Sequence, residues 1–599
     1  MSSIPICEEE LKELISATRE DVLQSYNSAK ATNRRLFLEG DDKATAEYIY
    51  ANQMEDAIKI VDEFYKNNRR VVSIQKKTKV GADGLMIEIA KLMTTHIDDS
   101  FIVNLANVRI ITGMSNAGWE KDMKDKAPGC FKEKIFHHGQ LQKADLINLC
   151  NSLIIIDEID TGDKQFQKLH GILKEAGLLD VKNMKEHNNR FVFISATMIK
   201  ELYQLYRWGD LHNLYKMTIP ESYIGHKDFL EKGIIKEFYP LDEYTYTCNL
   251  NDCKFETHIT SELKKHMKKD HNLKDENLEE KMETCNSTKI LNADKWLQED
   301  VLNNYGNDYR VHIVRLNEKI VNVVQNACIQ KGVEFKNHTS ADRLSDSEIK
   351  EFFKEPLTQH IVLGVKGFFR RANLIPNRWK LRIGATHELY TKIVDNNVQI
   401  QGLSGRMTGY WRSDIEKGHK TGPHRTSIRA VQEYEKSYND PYGLNSYRSS
   451  GFIKKDGRLI SIEPTMFSIE HVKNIEAIGL PKCEDVTKSI LDEFESMDEL
   501  TKFWKSTYPN VHARLQEPNK NVKGRYICSI GKTSQEYAAS EIRQAVGGES
   551  MAYWGEGWTT AKAGDTISRI YVGYENNKPV FFLRHAVVRK DRNISEEDN

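Results

Sequence analysis

Two hydrophobic patterns alternate along most of this chain. The clearest example is Ser152–Asp160, where four consecutive apolar residues, Leu153 to Ile156, run directly into Asp157 and Glu158. Such a run predicts a strand buried on both faces, with two carboxylates at its carboxyl end. About forty residues on, Phe191–Thr197 repeats the arrangement and ends in a small Ser-Ala-Thr triplet. Upstream, Val71–Ile74 reads as a strand, and Leu85–Met93 has helical spacing with apolar Leu85, Ile89 and Leu92. Asn107–Asp122 reads as strand, loop and helix. From about residue 290 the alternation returns, with strands at Tyr309–Asn317, His360–Leu374 and Leu381–Leu389 and a helix after the first. Strands alternating with helices predict parallel sheets, here in two blocks.

The ends follow other patterns. Residues 1–40 carry apolar positions at helical spacing and predict a helical arm for packing or interaction. Residues 421–490 read as an irregular connection containing a hairpin. Residues 491–590 predict a small α+β domain: an amphipathic helix at 497–509, a strand at 525–531, a helix at 534–548 and two strands joined by a Glu-Asn-Asn-Lys turn. Its aromatic residues Tyr553, Trp554, Trp558, Tyr571 and Tyr574 suit a small core better than base stacking. Residues 591–599 read as a disordered acidic tail.

Composition narrows the class. A chain of 599 residues is too long for one core, so three or four domains are expected. Charged residues make up 29% and the formal net charge is −1, so any surface for nucleic acid must be a local patch. No apolar run approaches the roughly 20 residues that span a bilayer, and the amino terminus lacks a secretory pattern. Nine cysteines are scattered, with only Cys248 and Cys253 close together. That usage fits a soluble intracellular protein in a reducing compartment.

Those two cysteines head a second signal. Cys248, Cys253, His266 and His271 are spaced C-x4-C, twelve residues, H-x4-H, which predicts a ββα module holding Zn2+. Phe255 and Leu263 are its small apolar core. The base-reading positions would be Ile259, Glu262 and Lys265, which lack the side chains that grip bases in pairs. Lys264, Lys265, Lys268 and Lys269 instead offer a face for phosphates, with protein docking as the competing role. Residues 270–287 read as a solvated acidic linker.

Asp157-Glu158 followed by Ser195-Ala196-Thr197 resembles motifs II and III of the superfamily 2 helicases, the DEAD/DEAH-like ATPases. The loop aligned on Thr78 and Gly81 stands where that family has its phosphate-binding loop, and Gly84 continues the pattern. It departs at two positions: Ala82 replaces the family's Lys and Asp83 its Thr. The exchange removes a cation and adds an anion, a repulsion of order 1–4 kcal/mol per close pair. Lys77 and Lys79 approach from the other side of the loop and are not expected to replace the lost cation, while Asp83 remains a candidate Mg2+ ligand. Gln53 lies on a helix before the first strand, at the spacing of the family's adenine-reading Gln; a surface glutamine is the alternative. Trp119 reads as a half-buried residue rather than a base-stacking one. Gly405-Arg406 through Tyr410 resembles motif VI, with Arg406 the first candidate for a charge-stabilising arginine and Arg412 the second. Gln401 stands one residue off that motif's usual Gln, and Arg370 and Arg371 resemble motif V.

The resemblance covers roughly residues 40–420, and its overall cast is similar to viral or phage helicase-like proteins. It implies an α/β fold of two RecA-like lobes. The expected domains are an arm at 1–40, lobe 1 at 41–235, the zinc finger at 244–275 and lobe 2 at 288–420. It also implies ATP and Mg2+ between the lobes. Asp157 would hold the metal, Glu158 would orient a water, and Ser195 and Thr197 would couple the lobes. The partner is a nucleic acid, DNA favoured over RNA, with the arm or the carboxy-terminal domain as surfaces for a protein partner and no membrane. A viral protein of this kind would work in the host cytoplasm, nucleoid or nucleus. The competing reading is a catalytically impaired clamp on nucleic acid or protein, resting on Ala82 and Asp83.

Overall fold

The computed structural model describes residues 8–95, 103–115, 117–147, 149–162, 167–251, 253–339, 342–353, 357–367, 369, 375–441, 447–455, 458–478, 490–507, 526–530, 539, 566–576 and 578–587. These residues divide into two compact units, one holding nearly everything up to 478 and the other the described residues of 454–460 together with those from 490 on.

Six parallel strands form the first sheet: β1 (Val71–Gln75), β2 (Val108–Thr112), β3 (Ile135–Phe136), β4 (Leu153–Asp157), β5 (Arg190–Ser195) and β6 (His212–Lys216). Their order across the sheet is β3-β2-β4-β5-β1-β6. Every residue of β1, β4 and β5 is buried, as continuous apolar runs in a parallel sheet require. Because β5 lies between β4 and β1, the loops leaving all three open side by side at one end of the sheet. Helices α1 (Glu8–Leu38), α2 (Ala51–Tyr65) and α3 (Ala82–Thr95) contribute Val22, Tyr26, Ile60, Phe64, Leu85 and Ile89 to the core beneath it. The arm is therefore packed against this lobe, and the Tyr26 hydroxyl donates to Glu88 at 2.9 Å.

A short strand, β7 (Ile235–Glu237), precedes the metal module, whose strands are β8 (Tyr244–Thr247), β9 (Glu256–Thr257) and β10 (Ile290–Leu291). The second parallel sheet then continues with β11 (Val311–Arg315), β12 (Glu334–His338), β13 (Ile361–Val365), β14 (Ile383–His387) and β15 (His424–Thr426). Its order, β12-β13-β11-β14-β15-β7, differs from the boundaries read in the sequence. β7 lies at the expected end of lobe 1 and β15 beyond the expected end of lobe 2, yet they pair with each other in the second sheet. The module is thus inserted within the second lobe. A buried Arg425–Asp300 ion pair, with bonds of 2.5 and 3.0 Å, holds this edge to the helices behind it.

Residues 463–478 return to the first lobe. Trp208 donates to the Phe467 carbonyl at 2.9 Å, and Lys473 exchanges backbone hydrogen bonds with Leu179 and Val181. β16 (Phe452–Lys455) and β17 (Arg458–Ile462) form a two-stranded sheet where the hairpin was expected. In the second unit, β18 (Ile490–Phe494), β19 (Tyr526–Ile530), β20 (Thr566–Glu575) and β21 (Lys578–Val587) form a sheet of order β18-β21-β20-β19. The helix Met497–Thr507 packs Leu500 and Trp504 against Ile570 and Leu583. Of the helix expected at 534–548 only Ala539 is described; Tyr553, Trp554, Trp558 and the acidic tail lie outside the described residues, and Tyr574 is exposed. Among the described residues no helix is long and apolar enough to cross a membrane.

Burial lowers four histidines, His212, His226, His387 and His424, from 6.5 to about 3. The unfolded chain therefore binds more protons than the folded one between those values, so their contribution is complete above about pH 6.5 and lost as pH falls toward 3. At pH 5 the loss is roughly 2 kcal/mol per histidine. The melting temperature is expected to fall by several degrees or more between pH 7.5 and pH 5. Equal melting temperatures would contradict the burial of these rings in the neutral form.

Candidate functional site

The loop from Lys76 to Gly81 joins β1 to α3 and begins where the Lys76 amide donates to the Ser195 carbonyl at 3.2 Å. Lys79 and Gly81 take left-handed backbone, φ 56° and 87°, which folds the loop back over the start of α3. Gln53 holds that turn. Its amide donates to the Gly81 carbonyl at 2.6 Å, while its carbonyl accepts from the Tyr50 amide at 3.0 Å. A Cβ at Gly81 or Gly84 would lie 2.2 or 2.4 Å from the Gln53 amide, so glycine is what lets Gln53 approach. Gln53 is buried, so a surface position does not describe it. Thr78 also turns away from the loop's centre, its hydroxyl 2.9 Å from that of Thr408 in the second lobe.

Ala82 opens α3, and Asp83 pairs with Lys126 at 2.6 Å. Burial alone would raise the Asp83 carboxyl, but Lys126, with Lys79 and Lys76, holds it down to about 2. The anion introduced at this position is therefore already matched by a cation. Sequence reasoning also passed over Lys76. Its ammonium lies 3.1 Å from Glu158 and 3.5 Å from Asp157, although it follows β1 and the two carboxylates stand at the end of β4.

Asp157 ends β4, and its Oδ2 accepts from the Trp119 indole at 2.9 Å. Trp119 is thus fully packed and bonded to the carboxylate rather than half-buried. Burial pushes Asp157 up to about 6; Lys76 opposes the rise, and Glu158 and Asp83 add to it. Its Oδ1 is buried and accepts no hydrogen bond, with the Lys76 ammonium 3.5 Å away. A carboxylate oxygen so placed fits a hard divalent cation such as Mg2+. Glu158 follows in left-handed backbone, φ 53°, which turns its side chain toward β5 and the second lobe. Ser195 donates to Asp160 at 2.8 Å and lies 3.2 Å from Glu158 Oε2; the Thr197 hydroxyl donates to Asp160 at 2.8 Å. Asp160, which the sequence pattern did not single out, ties these two hydroxyls together.

The second lobe reaches the same carboxylates. Gln401 Nε2 lies 3.3 Å from Glu158 Oε2 and 3.4 Å from the Thr197 hydroxyl. Its carbonyl accepts from Arg406 Nη2 at 2.9 Å. Arg406 sits on the helix Leu403–Met407, which approaches closely because a Cβ at Gly405 would meet the Ile400 carbonyl at 1.9 Å. The Tyr410 hydroxyl donates to the Val80 carbonyl at 2.7 Å, and its ring stacks on Tyr50 with centroids 4.7 Å apart. The space enclosed is about 340 Å3 and is walled by the 76–83 loop, Asp157, Glu158, Lys380, Gln401, Arg406 and residues 42–46 after the arm.

Arg412 is not part of this cleft. It donates to the Tyr223 carbonyl at 2.9 Å and to Asp228 at 2.6 Å, so its guanidinium is engaged in joining the lobe's own elements. Arg370 and Arg371 lie outside the described residues.

The four residues read as metal ligands converge in the module: all their ligand atoms lie within 4.8 Å of one another. Cys248 Sγ is 3.5 Å from His271 Nε2, and Cys253 Sγ is 3.3 Å from His266 Nε2. Tetrahedral zinc needs a spacing of about 3.5 Å, given its usual bond lengths. His266 Nδ1 is 2.7 Å from Asp270 Oδ2, which turns Nε2 toward the cluster. The segment read as a solvated linker is instead a helix, Asp275–Ser287, whose Leu278, Met282 and Cys285 pack with Leu263 and Met267. Lys264, Lys265, Lys268 and Lys269 are exposed on the opposite face, whereas Glu262 is held by the Thr257 hydroxyl at 2.9 Å.

No family model and no curated protein matches the chain. Among solved structures it is similar to Saccharomyces cerevisiae Dbp5 bound to RNA and ADP BeF3, at 11% identity over 67% of this chain and 93% of that one, with a TM-score of 0.33. It is also similar to the Pyrococcus furiosus Hef helicase domain, at 11% identity over 63% and 97% of the two chains, with a TM-score of 0.34. These likenesses carry no functional weight. The α/β fold, with two RecA-like parallel-sheet lobes, rests on the strand orders themselves.

Proposed function

We propose that this chain is a nucleic-acid-dependent ATPase of the superfamily 2 helicase type, moving on a DNA or RNA strand as its lobes work against each other. One observation carries the reading: the carboxylates of the first lobe meet Gln401 and Arg406 of the second within one cleft. Asp157 Oδ1 would hold Mg2+, which supplies charge neutralisation at the phosphates. Glu158, beside Lys76 and Ser195, orients the attacking water. Ser195, Thr197 and Asp160 connect that carboxylate to Gln401, so binding at the phosphates is felt by the second lobe. Arg406 contributes positive charge from the facing wall. The inserted module holds zinc and grips phosphates without reading sequence, through the exposed lysines of its helix. We favour DNA over RNA as the strand.

Ala82 and Asp83 support a second reading, a clamp that binds without turnover. Phosphate release by the full chain, with and without single-stranded DNA or RNA, separates the two. Strand-stimulated hydrolysis by the unaltered chain is the expected outcome. Hydrolysis only after Ala82→Lys with Asp83→Thr would establish the clamp.

A further inference from the structure

Three lysines begin the loop after β1, and two of them are engaged. Lys76 is paired with Asp157 and Glu158. Lys77 is paired with Glu435 at 2.7 Å and lies over the rings of Tyr434 and Tyr438. Lys79 lines the cleft, and among the described residues its ammonium has neither a hydrogen bond nor an ion pair. Its left-handed backbone turns the loop at that residue, at φ 56°. The charges that act on it border the same cleft: Arg406, Asp83, Lys380 and Lys76. Asp83 already belongs to Lys126. An unpaired ammonium facing Arg406 and Lys380 in a half-closed space favours a polyanion, whose binding relieves the crowding of like charges. Burial first, then Arg406, Lys380 and Lys76, pull the ammonium well below its ordinary value against Asp83, and a bound polyanion would oppose that shift.

We infer that Lys79 grips the phosphates in place of the lysine absent at position 82, so that the departure at Ala82 relocates the phosphate contact instead of abolishing it. The inference rests on the cleft being a nucleoside triphosphate site. Lys79 stands three residues before Ala82, away from the position where the family's lysine is expected.

Equilibrium titration of the full chain with a fluorescent ATP analogue and Mg2+ tests the inference, run beside AMP as a competitor. Lys79→Met is expected to weaken the triphosphate analogue by about 10- to 100-fold, as for loss of a charge-assisted hydrogen bond. AMP competition is expected to change less than threefold, which keeps lost phosphate contact apart from lost fold. Lys77→Met is expected to bind as the unaltered chain does, and Ala82→Lys added to Lys79→Met is expected to restore most of the affinity. Unchanged affinity in Lys79→Met overturns the inference alone. An unaltered chain that binds no nucleotide overturns the reading of the cleft as well.

Discussion

Replacing Glu158 by Gln is expected to lower strand-stimulated ATP hydrolysis by about 10^2- to 10^4-fold, the usual worth of a positioned general base, while ATP affinity stays within a few-fold. The substitution is close to isosteric, so the neighbours that hold the side chain remain in reach: Lys76 at 3.1 Å, Ser195 at 3.2 Å and Gln401 at 3.3 Å. Lys76 keeps Asp157 at 3.5 Å, so its buried charge is not stranded. The left-handed backbone at 158 is also tolerated by an unbranched side chain. Stability should therefore hold while turnover collapses. A Glu158→Gln chain with unaltered turnover would remove Glu158 from the chemistry and leave it as an interlobe tie to Gln401.

Removal of the zinc proposed for the inserted module is expected to have the second large effect. The core of the module consists of Cys248, Leu263, Met267, Leu278, Met282 and Cys285 with a few half-buried neighbours, too little apolar surface to fold unaided. Structural zinc contributes on the order of 10–16 kcal/mol to such modules. Cys253→Ala, or a strong chelator, is expected to release one zinc per chain and open residues 244–290 to protease while both parallel sheets persist. Asp270→Asn should be milder, weakening zinc by about 10- to 100-fold, because it removes only the carboxylate that orients His266. A module equally protected with and without metal would show that the helix Asp275–Ser287 suffices to hold it.

Much of this arrangement is legible along the chain because it is local. Leu153–Asp157 is buried on every position, as an uninterrupted apolar run demands, and its carboxylates fall at the strand end. The Cys and His spacing needed only one hairpin and one helix to close. The features missed are those made by long-range contact. Lys76 at the end of β1 looks like any strand-terminal lysine until β4 is placed two strands away. Trp119 offers no hint that its indole will meet Asp157, and Asp160 none that it will collect two hydroxyls. Arg412 sat within the right motif but faces Asp228, because the helix starting at 412 turns toward the lobe's own helix at His226–Glu231. The pairing of β7 with β15 spans nearly two hundred residues and an inserted module, beyond any local pattern.

The most direct test of the central claim is a crystal structure of the full chain with Mg2+ and a non-hydrolysable ATP analogue. The expected result is the analogue between the lobes, its phosphates on Lys79 and Arg406 and the metal on Asp157. Nucleotide bound elsewhere, or a cleft left empty at saturating ligand, would contradict it.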